Sequence, residues 1–375
     1  MNVSTFDKAT NLAKIQTGAR WKQVYADLLE WNVTAPGGRD GGVGVGGFLL
    51  GGGLTFFMGR RGFACDSVRN YEVVLANGTI VNANTTHNID LWRALKGGGS
   101  NFGIVTRFDM DPLPANKIAN SQRSMTSDHS DEVLRSLHDF VNLDETSSAN
   151  DALVVYYTFN STVSADVIIS TIAVNTMGDT NSTALRRIKS IAAISSKDEV
   201  ESMASSANTG ITLTFKPSIP VMQLCVDLNK AYIDKLSKLV GPGHFSTYLF
   251  LQPLPSYYSI ISDREAQGNM MTDSLAGQNA IMWTFGVALG PEVDPLKIAI
   301  AHQHVTAMAA EIQQFAERTG DDLGLVYMNY ADATQDAVGS YGERNVEFME
   351  RVARTYDPEG FFQDVVSGGF KMRTR

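Results

Sequence analysis

The sequence predicts an α+β protein of two folding units, and three observations carry that reading. Between about residues 115 and 320, strand-like runs (153–159, 167–174, 247–251, 281–288) alternate with helix-like runs (182–193, 222–239, 295–318). Strands mixed with amphipathic helices of this size suggest one antiparallel sheet covered by helices. The first hundred residues instead hold short strands, a hairpin and two glycine clusters, and the chain leaves them at Pro112 and Pro114, where such breakers mark a boundary. From Leu325 onward short elements return: a strand at 325–329, a helix at 343–354 and a stop at Asp357-Pro358-Glu359-Gly360.

Taken in order, residues 13–18 (AKIQTG) read as a strand. Residues 20–29 read as a helix, with Trp21, Val24, Tyr25 and Leu28 on its apolar face. Residues 35–59 are the glycine block, APGGRDGGVGVGGFLLGGGLTFFMG, in which two glycine clusters bracket Phe48-Leu49-Leu50. Each interior glycine costs roughly 0.5–1 kcal/mol relative to alanine in a regular element. So many together imply a backbone that approaches something closely. A diphosphate meets successive N–H groups in this way; a packed sheet with tight turns is the competing explanation. Residues 70–82 are two strands around Asn77-Gly78, a strong hairpin signal. Asp90 is placed as the cap of a short helix closed by glycine, and residues 103–109 form the strand that leads to the prolines. In the long helix 295–318, Asp294 is the expected cap, Pro295 its first residue and Gly320 its end.

Composition bounds the function. The 375 residues are 43% hydrophobic and 19% charged, with net charge −9, which argues against a nucleic-acid surface. No apolar run approaches the roughly 20 residues of a membrane span. Two cysteines, Cys65 and Cys225, exclude a disulfide framework and a cysteine-rich metal site. Asn-X-Ser/Thr acceptors at Asn2, Asn32, Asn77, Asn84, Asn160 and Asn181 point to a secreted parent, although no signal peptide precedes them and a cytoplasmic location stays open.

Several motifs are weighed and set aside. Gly42, Gly44 and Gly47 satisfy G-x-G-x-x-G with Asp66 about twenty residues on, as a dinucleotide fingerprint requires. The preceding residues are turn-like rather than a buried strand, and Gly51 to Gly53 would fall inside the required helix. His302 and His304 lie two apart on a helix and point to different faces, which makes a metal pair improbable. No H-E-x-x-H, G-x-S-x-G or Walker lysine motif occurs. Gly97-Gly98-Gly99 with Asn101 and Gly103 is a second glycine cluster, read as a helix end or as part of a large phosphorylated-cofactor site. Tyr327, Asn329, Tyr330 and Asp332 (YMNYAD) are placed at a strand end, where polar groups can converge on a ligand or simply pack.

Taken together, VGVGGFLLGGG (43–53), the G-x-x-x-D step (62–66), EVVLANGTIV (72–81), DLWRALKGGGSNFGIVTRF (90–108), YMNYAD (327–332), YGERN (341–345) and YDPEGFFQ (356–363) resemble one family. It is the FAD-linked oxidases of the vanillyl-alcohol-oxidase type, with a PCMH-type FAD-binding domain, in the berberine-bridge-enzyme-like branch and of fungal character. The resemblance implies an FAD-binding domain from residues 1–115 and 325–375, and a substrate domain, 116–324, whose antiparallel sheet roofs the flavin. It implies backbone contacts to FAD from Gly41, Gly42, Gly46, Gly47, Gly51, Gly52 and Gly53, a bordering strand at Ile104 and Val105, and Asn345 beside the isoalloxazine. Tyr330 or Tyr327 matches the neighbourhood of a tyrosine base. The implied reaction takes a hydride from an alcohol, sugar or secondary-metabolite substrate to flavin and on to molecular oxygen, in a monomer. Two departures stand out. Asp40 occupies the position of the cysteine that bicovalent members link to FAD, and the segment carrying the histidyl link is not in the chain. The sequence therefore reads as N-terminally truncated, holding FAD noncovalently at most, and the alternative expectation is an FAD-poor remnant that acts as a binding protein.

Overall fold

The computed structural model describes residues 1–201, 211–275 and 277–372. Five antiparallel strands form the first sheet, in the order Ser4–Asp7, Leu12–Gln16, Ile104–Met110, Val68–Val74, Ile80–Asn84. The hairpin turn forms where Asn77-Gly78 requires it: Gly78 adopts φ +81° and the Asn77 side-chain carbonyl accepts from the Thr79 N–H at 3.0 Å. The helix Trp21–Leu29 buries the apolar face read from its spacing.

Seven antiparallel strands form the second sheet, in the order Ser195–Glu201, Ile118–Thr126, Ile168–Asn175, Asp151–Phe159, Phe245–Leu254, Ala280–Leu289, Ile211–Phe215. Alternation along its strands separates two faces. Val155, Tyr157, Leu249 and Leu251 join a core that also holds Leu137, Met222 and Ile312, from the helices Ser130–Val141, Ile219–Val240 and Pro295–Thr319. Val154, Tyr156, Thr158, Tyr248, Phe250 and Gln252 point the other way, toward the glycine block. The two-residue ladder Val33–Thr34 with Leu113–Pro114 ties down the exit between the sheets. Leu254, Tyr257, Met270 and Met271 belong to the core beneath the first sheet, so the middle of the chain lends one stretch to the core built by its ends.

Three local expectations are corrected. Residues 325–329 are not a strand. Gly324 at φ +70°, together with a Val326 N–H that donates to Ser340 Oγ at 3.0 Å, replaces a ladder, and a 3-10 turn, Met328–Tyr330, follows. The helix expected over 182–193 shrinks to Arg186–Ser190, because Ile194 N–H donates to Ser124 O at 2.8 Å and the chain enters the sheet edge instead. Asp90 lies inside the first turn of Ile89–Ala94, behind Asn88 in the left-handed region, and its carboxylate accepts from Tyr356 Oη at 2.8 Å.

Candidate active site

The glycine block folds into a six-residue helix, Val45–Leu50, and then a glycine turn. Beside it runs a groove of about 720 Å³ whose lining includes Thr17, Arg20, Gly44, Gly46, Gly47, Gly51, Gly99, Gly103, Ile104, Val105 and Asn329. The glycines separate by what a side chain would meet. A Cβ at Gly46 would lie 2.4 Å from Thr17 Oγ1, so the fold itself requires glycine there. A Cβ at Gly44 or Gly47 would meet no protein atom within 4 Å. Gly44 has φ −73° and ψ 139°, which any residue adopts, and Gly47 is helical. Neither backbone conformation nor packing explains glycine at these two positions. Space for something in the groove does. The far wall comes from the C-terminal segment: buried Asn101 donates to Phe370 O at 2.9 Å and its side-chain oxygen accepts from Gln363 at 3.1 Å, which brings Phe362, Val366 and Phe370 onto the groove.

A second cavity, also about 720 Å³, lies between the glycine block and the inner face of the seven-stranded sheet. One cross-strand row, Tyr156–Phe250–Thr284, crosses that face, with Tyr156 and Phe250 stacked at 5.5 Å and 26°. Opposite it stand Arg39, Phe48, Leu54, Phe56, Tyr327 and Tyr330. Asn329 lines both cavities. Its amide donates to Phe48 O and to Tyr327 Oη, each at 3.0 Å.

The two tyrosines are not equivalent. Tyr327 is 1% exposed, and its oxygen also accepts from the N–H groups of Gly53 at 2.9 Å and Leu54 at 3.0 Å, while burial pushes its hydroxyl pKa up. Tyr330 is half-buried, edge-on to Tyr327 at 5.0 Å, and its oxygen accepts from Arg39 Nη2 at 2.9 Å. The same Nη2 donates to Gln252 Oε1, which ties the glycine block to the sheet.

The FAD binding domain family model matches residues 1–84. The chain is 34% identical over 97% of its length, and 73% of the relative's, to the FAD-dependent monooxygenase tpcD of Cochliobolus heterostrophus. To the FAD-dependent monooxygenase drtC of Aspergillus calidoustus it is 30% identical, over 99% of this chain and 72% of the relative. The chain belongs to the FAD-linked oxidoreductases. Its fold is that of PCMH-type, berberine-bridge-enzyme-like proteins. The glucooligosaccharide oxidase from Acremonium strictum superposes at TM-score 0.72 with 20% identity, covering 100% of this chain and 81% of that one. The enzyme is an FAD-dependent oxidoreductase, and the glycine-lined groove fits its cofactor: the volume lies within the roughly 300–1,000 Å³ of ligand clefts, and the two glycines unexplained by the protein face it.

Of the residues singled out in the sequence, Gly46, Gly47, Gly51, Ile104 and Val105 line the groove, and Tyr327 and Tyr330 line the cavity under the sheet. Gly41, Gly42, Gly52 and Gly53 lie outside both linings. Gly42 N–H is capped by Asp40 Oδ1 at 2.6 Å, and Gly53 N–H is taken by Tyr327. Asn345 is buried, with its amide on Met270 O at 3.0 Å, so it braces the helix Glu343–Tyr356 instead of reaching either cavity. Asp66, the acid of the false dinucleotide motif, is also buried structure, accepting from Phe63 N–H at 2.8 Å and from Asn269 at 3.0 Å. His302 sits on the surface and bonds Asp332 at 3.1 Å. Arg39 and Gln252 were not singled out. A glutamine among Leu249, Phe250, Leu251, Pro253 and Leu254 was the signal that one face of this strand meets something polar.

Proposed function

We propose that the enzyme oxidises a small-molecule substrate at a hydroxyl-bearing carbon in the cavity under the seven-stranded sheet, with Tyr330 accepting the hydroxyl proton and oxygen as the final electron acceptor. The observation that carries this reading is that groove and cavity share Asn329 as a wall, with Tyr330 one residue away on the cavity side. Bound FAD supplies the hydride acceptor. Arg39 holds the Tyr330 oxygen at a fixed place and meets negative charge there with a cation. Tyr327 is too engaged to serve: three N–H donors converge on its oxygen, and it props the turn after Gly52. The relatives named monooxygenases support an oxygen-using cycle.

FAD is read as noncovalently held by this stretch of chain, since Asp40 stands in the cysteine position and, among the described residues, neither cysteine nor histidine occurs in the groove lining. The test is anaerobic mixing of the FAD-loaded enzyme with a panel of aryl alcohols, phenols and aldoses, followed by air. Bleaching of the flavin band by one class and its return with oxygen are expected. FAD that stays bound and oxidised against the whole panel would defeat the proposal. Flavin remaining in an acid precipitate would defeat the noncovalent reading alone.

A further inference from the structure

We infer that Arg39 is a specificity-determining residue, and that the cavity takes a planar aromatic substrate bearing an anionic oxygen, a carboxylate or an ionised acidic phenol. The inference rests on the functional reading above for its location, and on a separate set of observations for its chemistry.

Among the described residues Arg39 is the one lysine or arginine in the cavity lining. Its guanidinium is half-buried and used on one nitrogen only: Nη2 gives its two protons to Gln252 and Tyr330. Among the described residues no hydrogen bond is made by Nε or Nη1, neither is a buried orphan, and the residue lines the cavity. Three N–H donors on a planar fork therefore remain beside a cavity that holds seven aromatic rings. A guanidinium held this way matches a carboxylate or phenolate by geometry as well as charge. The rest of the cavity favours a flat apolar body. Phe48 and Phe56 face Tyr248 and the stacked pair Tyr156 and Phe250 across it. Arg39 itself lies over the Phe56 ring at 5.9 Å, which positions the fork at the edge of the aromatic zone. The cavity's carboxylate, Asp40, is turned to Gly42 N–H.

The same guanidinium would thus position the base through Nη2 and anchor the substrate through Nη1 and Nε. The step needs no new reagent: the anchor is an ion pair, and the oxidised bond lies elsewhere on the substrate.

The test uses calorimetric titration of the FAD-loaded enzyme with 2-naphthoate and with its neutral isostere 2-naphthamide, so that it does not depend on turnover. Naphthoate should bind about 10- to 100-fold more tightly, as expected for hydrogen bonds to a charged group. Arg39→Gln should erase most of that ratio. Arg39→Lys, which keeps the charge but not the fork, should retain part of it. Retained FAD and an unchanged circular dichroism spectrum show that the variants fold. Equal binding of the two probes, no measurable binding of naphthoate, or an anion preference that survives Arg39→Gln would each overturn the inference. A neutral alcohol that reduces the flavin of the parent enzyme as well as its carboxylate-bearing analogue does would overturn it while leaving the oxidoreductase reading intact. An Arg39-dependent anion preference in an enzyme that no alcohol reduces would do the reverse.

Discussion

Tyr330→Phe separates the proposed chemistry from the architecture around it. The substitution keeps the ring and its edge-on contact with Tyr327, and removes one oxygen that accepts from Arg39. Arg39 keeps Gln252, and the site is half-buried, so the stability lost is one hydrogen bond to a charged group, about 1.5–3 kcal/mol at most. The rate loss is larger: a general base contributes roughly 10²–10⁴-fold, about 2.7–5.4 kcal/mol of barrier. Tyr327→Phe is the matched control with the opposite signature. It strips the partner from two buried N–H groups, Gly53 and Leu54, at about 1–3 kcal/mol each. It should lower stability measurably while slowing flavin reduction in the remaining folded enzyme by less than about tenfold, well short of a lost base. The assay is anaerobic stopped-flow reduction at saturating substrate, alongside urea unfolding of both variants. A Tyr330→Phe enzyme that reduces its flavin at the parent rate, or a Tyr327→Phe enzyme that is stable yet slow, would refute the assignment.

Three further outcomes follow from the geometry. Gly47→Ala should leave the fold as stable or up to about 1 kcal/mol more so, since its methyl meets no protein atom, yet weaken FAD binding by entering the groove. Unfolding of the FAD-free form and a flavin titration check both halves, and unchanged FAD affinity would contradict the groove assignment. Lys96→Met should destabilise the protein in urea unfolding, because it removes a fully buried cation whose charge favours the buried Asp66 carboxylate, and adding Asp66→Asn should recover part of the loss. Asp7 is held down to about 2, chiefly by its hydrogen bond from Lys14 and then by Thr10. Its folded value lies below the ordinary one, so its contribution is complete above about pH 4 and lost as pH falls through about 2. An NMR titration should show that Lys14→Met moves the Asp7 midpoint upward.

The sequence was most informative where short-range chemistry decides structure. The Asn77-Gly78 turn, the Asp294-Pro295 start and the apolar face of Trp21–Leu29 all form as their local residues dictate. It misled where a distant partner outweighs local preference. The stretch 325–329 has strand-like residues, but Ser340 Oγ takes the Val326 N–H and the chain turns at once into the 3-10 segment. The glycine clustering beside the groove was visible in one dimension, but which glycines line it was not: Gly44 does and was not named for FAD contact, while Gly41, Gly42, Gly52 and Gly53 were named and do not. Arg39, Gln252 and Tyr330 come together across 213 and 291 residues of chain separation, through the register of a sheet, and no spacing in the sequence encodes that.

The glycine block itself shows why a motif can be recognised before its parts are understood. Its glycines serve two different neighbours. At Gly51 a Cβ would lie 2.1 Å from Asn329 Oδ1, and at Gly53 it would lie 2.6 Å from Phe48 and 2.7 Å from Ala64, so these positions are set by protein packing. At Gly44 and Gly47 the space is open and faces the groove. The packing glycines do the indirect work. They let Asn329 and Tyr327 close against residues 48–54, and that contact sets the wall between groove and cavity. A side chain at Gly51 would therefore disturb both cavities through Asn329. A side chain at Gly47 would disturb only the groove. The two effects, identical in a list of glycines, are distinguished by which atom stands where the methyl would go.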